Sequence, residues 1–247
     1  MAGHSKWNNI KRRKAAEDNK RGKIFSKFGK EIQIAVREGG SDPEQNARLR
    51  DVISRAKSSN MPNDNIQRSI DKAAGDAGSD NLVEIQYEGY GPGGIAVIVR
   101  ALSENRNRTA ADVRHVFDKY GGNLGTDGSA AFLFERKGSI IIERENISDE
   151  DELLMLAIEA GAEDIDLDNE NIVDIITAPA DYETVTKAIS EKYTILEQSL
   201  EPVPMTWTQL SDPDQIEQMQ NLIEKLEDND DVQDVYHNWE QDEEDES

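Results

Sequence analysis

GSIIIERENISDEDELLMLAIEAGAEDIDLDNENIVDIITAPADYETVTKAISEKYTILEQSL, residues 138–200, is the stretch that decides the fold. Short apolar runs at 139–143, 164–167, 172–177 and 194–200 read as strands. Between them, 149–160 and 181–193 carry apolar residues at helical spacing. The acids Asp149, Glu150, Asp151 and Glu152 suit the first helix's N-terminus, where they complement its dipole. The order is β-α-β-β-α-β, the split βαβ arrangement of ferredoxin-like domains.

Working outward, 95–102, 109–120 and 130–135 read as strand, helix and strand on the N-terminal side. On the C-terminal side, 205–210, 213–227 and 232–239 read the same way. Joined, the six segments again spell β-α-β-β-α-β. The expected class is therefore α+β: one ferredoxin-like domain (80–136 with 203–240) interrupted by a second, inserted one (137–202). A strand at 82–87 precedes them, joined to 95–102 by EGYGPGG. That glycine-rich turn lacks the Lys-Ser/Thr of a P-loop and links two strands, so it reads as a hairpin turn.

Further upstream the period is helical. Ile24, Phe28, Ile32 and Val36 recur every four residues up to Gly39-Gly40. A second helix carries Leu49, Val52, Ile53 and Ala56, with Asp42-Pro43 as its expected N-cap and first turn. Ile66, Ile70 and Ala73 mark a third helix. Residues 23–76 thus read as a three-helix bundle, 75–81 as a linker and 241–247 as an acidic tail.

Charge divides the chain. Residues 1–30 hold ten Lys/Arg (Lys6, Lys11, Arg12, Arg13, Lys14, Lys20, Arg21, Lys23, Lys27, Lys30) against Glu17 and Asp18, although the whole chain carries −23. The chain beyond residue 72 is left with 11 basic and 42 acidic side chains. Such asymmetry points to a polyanionic partner at the basic end. Residues 1–22 offer only Trp7 and Ile10 as large apolar groups, so they read as an arm that is mobile until it meets phosphates, with Trp7 as a stacking face. Arg106 and Arg108 precede a helix N-terminus and are candidates for a further anion contact.

Chemistry is otherwise sparse. The chain has no cysteine, and His4, His115 and His237 are widely separated, with no metal-ligand spacing. No nucleophile elbow or dinucleotide fingerprint appears, and no apolar run reaches the roughly 20 residues that span a bilayer. The N-terminus is basic like a mitochondrial transit peptide but has no clear apolar face. The expectation is a non-enzyme with no cofactor and no metal, cytoplasmic and monomeric, with no membrane or small-molecule partner.

Particular motifs carry a resemblance. AGHSKW–NI–RKAA at 2–16, RGKIF at 21–25, NRNRT at 105–109, GGNLGTDG at 121–128 and DDVQDVYHN at 230–238 are similar to the YebC/PmpR family, in collinear order along the chain. That family includes the mitochondrial translational activator of cytochrome c oxidase subunit I. The resemblance implies a helical domain followed by two α+β domains, the last inserted into the second. It also implies one of two roles. One is a translation factor that meets ribosomal RNA or tRNA on the ribosome and relieves stalling on proline-rich stretches. The other is a transcriptional regulator on promoter DNA. Carried over by position, the motifs place nucleic-acid contacts at Lys6, Trp7, Lys11, Arg12, Arg13, Lys14, Arg21 and Lys23. Charge adds Lys20 and Lys27. The irregular arm favours structured RNA over duplex DNA, and a third reading is an adaptor whose acidic domains bind a basic protein.

Overall fold

A computed structural model describes residues 7, 10–11, 18–75 and 82–240. The linker at 76–81 and the tail at 241–247 lie outside the described residues. The chain divides into two compact units, residues 1–77 with 136–201 and residues 78–135 with 202–247.

The first unit opens with α1 (Asp18–Gly39), α2 (Ala47–Ser58) and α3 (Asn63–Gly75). Phe28, Ile32, Ala35 and Val36 of α1 bury against Leu49, Val52 and Ala56 of α2 and Ile66 and Ile70 of α3. The helix begins at Asp18, five residues before the expected Lys23, because the good helix formers Lys20 and Arg21 carry it through Gly22. A buried ion pair between Glu31 and Arg55 ties α1 to α2, with the Arg55 guanidinium 5.9 Å from the centre of the Phe28 ring.

The N-cap of α2 is Asn46, not Asp42. Asp42 instead starts a turn, accepting from the Glu44 amide (3.0 Å). Asn46 accepts from Leu49 N–H (3.0 Å) and donates to the carbonyls of Ala35 (2.8 Å) and Gly40 (2.7 Å), so one side chain closes one helix and opens the next. Gly39 makes room for it: a Cβ there would lie 2.7 Å from the Asn46 amide.

The same unit contains β4 (Phe134–Glu143), α5 (Glu150–Ala160), β5 (Ala162–Asp166), β6 (Ile172–Thr177), α6 (Tyr182–Ser190) and β7 (Glu197–Pro204). The sheet order β5-β6-β4-β7 sets the first strand beside the third and fourth, as β-α-β-β-α-β requires. Ile140 and Ile142 of β4 and Val173 and Ile175 of β6 form a core with Leu153 and Ala157 of α5 and Val185 and Ile189 of α6. The alternate residues turn to the other face. There, Ser139 donates to the buried Asp174 (2.7 Å), and Ile141 and Ile172 form a smaller cluster with Ile10, flanked by Trp7 and Leu196.

The second unit departs from the expected strand set. Its sheet runs β3-β1-β2-β9, with β1 (Val83–Tyr90), β2 (Ala96–Ser103), β3 (Asn123–Leu124) and β9 (Val232–His237). Residues 131–133 form a 3₁₀ turn, and only Thr208–Gln209 of the expected strand at 205–210 is extended (β8), pairing in parallel with β10 (Trp239–Glu240). The place between β2 and β3 is taken by β1, which needs only the Gly91–Gly94 turn to reach its antiparallel partner β2. A strand delivered by a short hairpin carries a smaller closure cost than one returning after some 70 residues. Helices α4 (Arg106–Lys119) and α7 (Pro213–Glu227) share the core with Val97, Val99, Val232 and Trp239 through Val113, Phe117, Met219, Leu222 and Leu226. The glycine turn is packed, not open: a Cβ on Gly91 would stand 2.5 Å from the Met219 sulfur.

Candidate nucleic-acid interface

The first described basic groups lie on α1. Lys20, Lys23, Lys27 and Lys30 are spaced three, four and three apart, so they form one row along the helix. Lys20 and Lys23 are exposed, and Lys27 and Lys30 are half-exposed. The row lies away from the stripe of Phe28, Ile32 and Ala35 that enters the core. Arg21, half-exposed like Lys27 and Lys30, does not join it, because three and four residues before Ile24 and Phe25 it stands at the end of the apolar stripe. Lys30, absent from the expected contacts, completes the row, and its signal was in the spacing.

Upstream of α1, Lys6, Arg12, Arg13 and Lys14 lie outside the described residues. Lys11 is exposed. Trp7 and Ile10 depart from the expectation of an arm that is mobile until it meets phosphates. Both are helical, Ile10 is 2% exposed against Ile141 and Ile172, and Trp7 is partly buried beside it. Trp7 thus packs in part against the protein's own apolar cluster. Placing a charge there by Ile10→Asp should lower stability by about 2–4 kcal/mol. Thermal unfolding measures the loss, and hydrogen exchange should show faster exchange in 139–143 and 172–177; an unchanged profile would show that this contact contributes nothing.

A polar seam joins the helices of this unit to its sheet. Gln198 Nε2 donates to Asp51 Oδ1 (2.6 Å), Arg50 pairs with Glu183 (2.8 Å), and the Ser58 hydroxyl lies 3.3 Å from Glu197. Burial raises the Asp51 carboxyl to about 6; Gln198, Tyr182, Arg50 and Arg55 pull it down without cancelling that effect. A raised folded-state pKa means stability that is complete below 3.8 and lost as pH rises through about 6. Asp51→Asn should therefore match wild type near pH 4 and exceed it in melting temperature at pH 7; a pH-independent difference would show that the charge is not the cause.

In the second unit, Arg106 and Arg108 are both exposed, and Arg108 is also paired. Its guanidinium pairs with Asp231 (2.8 Å), whose Oδ2 also lies 2.8 Å from Thr109 Oγ1 and 3.2 Å from Ser103 Oγ. Asn105 caps α4, accepting from Arg108 N–H (3.1 Å), and its own amide donates to Ser103 Oγ (2.9 Å). NRNRT and the second aspartate of DDVQDVYHN thus form one network, an anion contact made with the chain's own carboxylate. GGNLGTDG is similarly structural. Glu88 accepts from the amides of Gly128 (3.0 Å), Ala130 (2.9 Å) and Ala131 (2.8 Å). Burial pushes the Glu88 carboxyl up, and these amides with Gln86 outweigh it, holding its pKa below the ordinary value. His237 is neutral at pH 7, since burial lowers it to about 4. Among the described residues, no group of three or more His, Cys, Asp or Glu is placed to hold a metal ion, and no helix is long and apolar enough to cross a membrane.

These features define a class: a three-helix module with a lysine-lined outer face, joined to mixed α+β units that are strongly acidic. The chain belongs to the TACO1/YebC family, whose N-terminal domain matches residues 5–76 and whose second and third domains match residues 82–239. It is 57% identical over 247 residues to a "probable transcriptional regulatory protein" of Ruminiclostridium cellulolyticum, covering 100% of this chain and 99% of that one. A protein of the same description from Acetivibrio thermocellus is 55% identical over 97% of this chain and 99% of its own. The crystal structure of a conserved hypothetical protein from Aquifex aeolicus is similar throughout, with a TM-score of 0.82 and 44% identity over 92% of this chain and 93% of that one.

Proposed function

We propose that this chain is a non-catalytic, nucleic-acid-binding regulator of gene expression that engages its target through the lysine row of α1 and the basic segment before it. The row is the observation that carries the reading. Two exposed and two half-exposed lysines in one helical row, in a chain of net charge −23, concentrate the cations where a phosphate backbone can meet them.

Two targets fit. The names of the curated relatives support promoter DNA and transcriptional regulation. The chemistry of the row supports structured RNA, and the family resemblance supplies the ribosome as its source and relief of stalling on proline-rich sequences as the outcome. Lysines are point charges that bind phosphates and do not distinguish base edges as paired Arg, Asn or Gln side chains do. The acidic remainder would also repel a long duplex within about 8 Å at physiological salt, while permitting entry of one basic face. Of the finer architecture, the strand order β5-β6-β4-β7 supports a ferredoxin-like unit at 137–202, whereas the sheet β3-β1-β2-β9 of the second unit follows another order.

One experiment separates the targets. The full chain is sedimented with purified ribosomes at physiological salt and, in parallel, titrated onto duplex promoter DNA against competitor. Co-migration with ribosomes and sequence-indifferent DNA binding support the RNA target. Saturable, sequence-dependent DNA binding with the protein left at the top of the gradient replaces it with promoter DNA. Binding to neither removes the proposal.

A further inference from the structure

Helix α5 carries six consecutive apolar residues, Leu153 to Ile158, and a helix can bury only one side of such a run. Leu153 and Ala157 take the core side. Met155 and Ile158, three residues apart, are 64% and 65% exposed, and the half-exposed Leu154 adjoins Ile158, four residues before it. These are two of the four large apolar side chains most exposed in the described residues, and they adjoin one another. A solvated helix face ordinarily carries polar groups there, so a contiguous apolar strip marks a contact surface.

The rim identifies the partner. Asp151, four residues before Met155, and Glu159, four residues after it, are exposed at either end of the strip. Glu150 and Glu152 lie beside them, and each pairs with a base, Glu150 with Arg144 and Glu152 with Lys192. Arg144 in turn reaches Glu150 (3.3 Å), so the cations nearby are already engaged with carboxylates. A second copy of this chain would set acid against acid. Nucleic acid would be repelled outright.

We propose that the outer face of α5 docks a basic, amphipathic segment of another protein, which packs apolar anchors on Met155, Leu154 and Ile158 and sets Lys or Arg against Asp151 and Glu159. The geometry suits a helix laid along α5, with anchors at i, i+3 and i+4.

The probe is a synthetic 18-residue Lys/Leu peptide with one leucine face, compared with a scrambled peptide of the same composition and charge that has no such face. Binding to the full chain is measured by fluorescence anisotropy at physiological salt. The expected result is tighter binding of the amphipathic peptide and at least a tenfold loss with Met155→Ser/Ile158→Ser. Asp151→Lys/Glu159→Lys should lose a similar factor and flatten the salt dependence. The Ser and Lys positions are exposed, and unchanged circular dichroism and melting temperature establish that the variants fold. Equal binding of both peptides, or of wild type and the serine variant, overturns the proposal. So does a concentration-dependent dimer in sedimentation that the serine variant abolishes, since a second copy would then be the occupant.

Discussion

Replacing Lys20, Lys23, Lys27 and Lys30 together with glutamine is expected to lower nucleic-acid affinity about 1,000-fold at physiological salt. Each phosphate contact releases close to one counterion, and at roughly 0.15 M salt that release contributes about 0.7 log units per contact to a duplex. Four contacts therefore account for about three log units. The same replacement should reduce the slope of log K against log salt by about 3. Glutamine propagates a helix nearly as well as lysine, and pairs made by surface lysines contribute little to stability. Circular dichroism and melting should thus change by no more than a few degrees. Binding isotherms at four salt concentrations make the measurement. An unchanged slope with a lost affinity would mean that the helix had been disturbed, whereas unchanged affinity would place the whole contact in the segment before α1.

Asp231→Ala carries the largest expected effect on stability. The Asp231 side chain is only 8% exposed and its Oδ2 collects Arg108, Thr109 and Ser103. Removing it takes the acceptor from the buried Ser103 hydroxyl and the partner from the Arg108 guanidinium, while Thr109 Oγ1 keeps the Asn105 carbonyl (3.2 Å) and Ser103 Oγ (2.7 Å); an unmade buried hydrogen bond costs about 1–3 kcal/mol. A loss of about 3 kcal/mol is expected, lowering the melting temperature by roughly 10 °C. Asp231→Asn keeps an acceptor oxygen and should recover part of it. Because this network lies far along the chain from the lysine row, nucleic-acid affinity at 15 °C should stay within about twofold of wild type. A stable Ala variant with weakened binding would instead make Asp231 and Arg108 part of the interface.

The local code in this chain was readable where the apolar period and the caps agree. The alternation of Ile140, Ile142, Val173 and Ile175 with the helical spacing of Leu153 and Ala157 specifies the β4–β7 half, and it does so because burial on one face leaves the same periodic trace in any sequence. The core of α1, α2 and α3 was legible for the same reason. So was the hairpin turn at 91–94, whose glycines at 93 and 94 take φ of 65° and 79°.

Partners were not. Periodicity reports that a residue faces something apolar and is silent on what that surface is. Residues 130–135 and 205–210 alternate well enough to read as strands, yet β1 sits where they were placed, since a hairpin partner is nearer along the chain. Asn46 displaced Asp42 as the cap because only Asn46 reaches the carbonyls of Ala35 and Gly40. Ile10, one isoleucine in a basic segment, gave no pattern at all, and only the face of β4 and β6 accounts for its burial. The same holds for Arg108, a cation that read as an anion site until Asp231, more than 120 residues away, arrived beside it. The sequence by itself determined the elements and the division of charge, because both are local sums over neighbouring residues. The tertiary structure alone decided which strand fills the sheet and which cations are spoken for, because those are competitions between groups far apart along the chain.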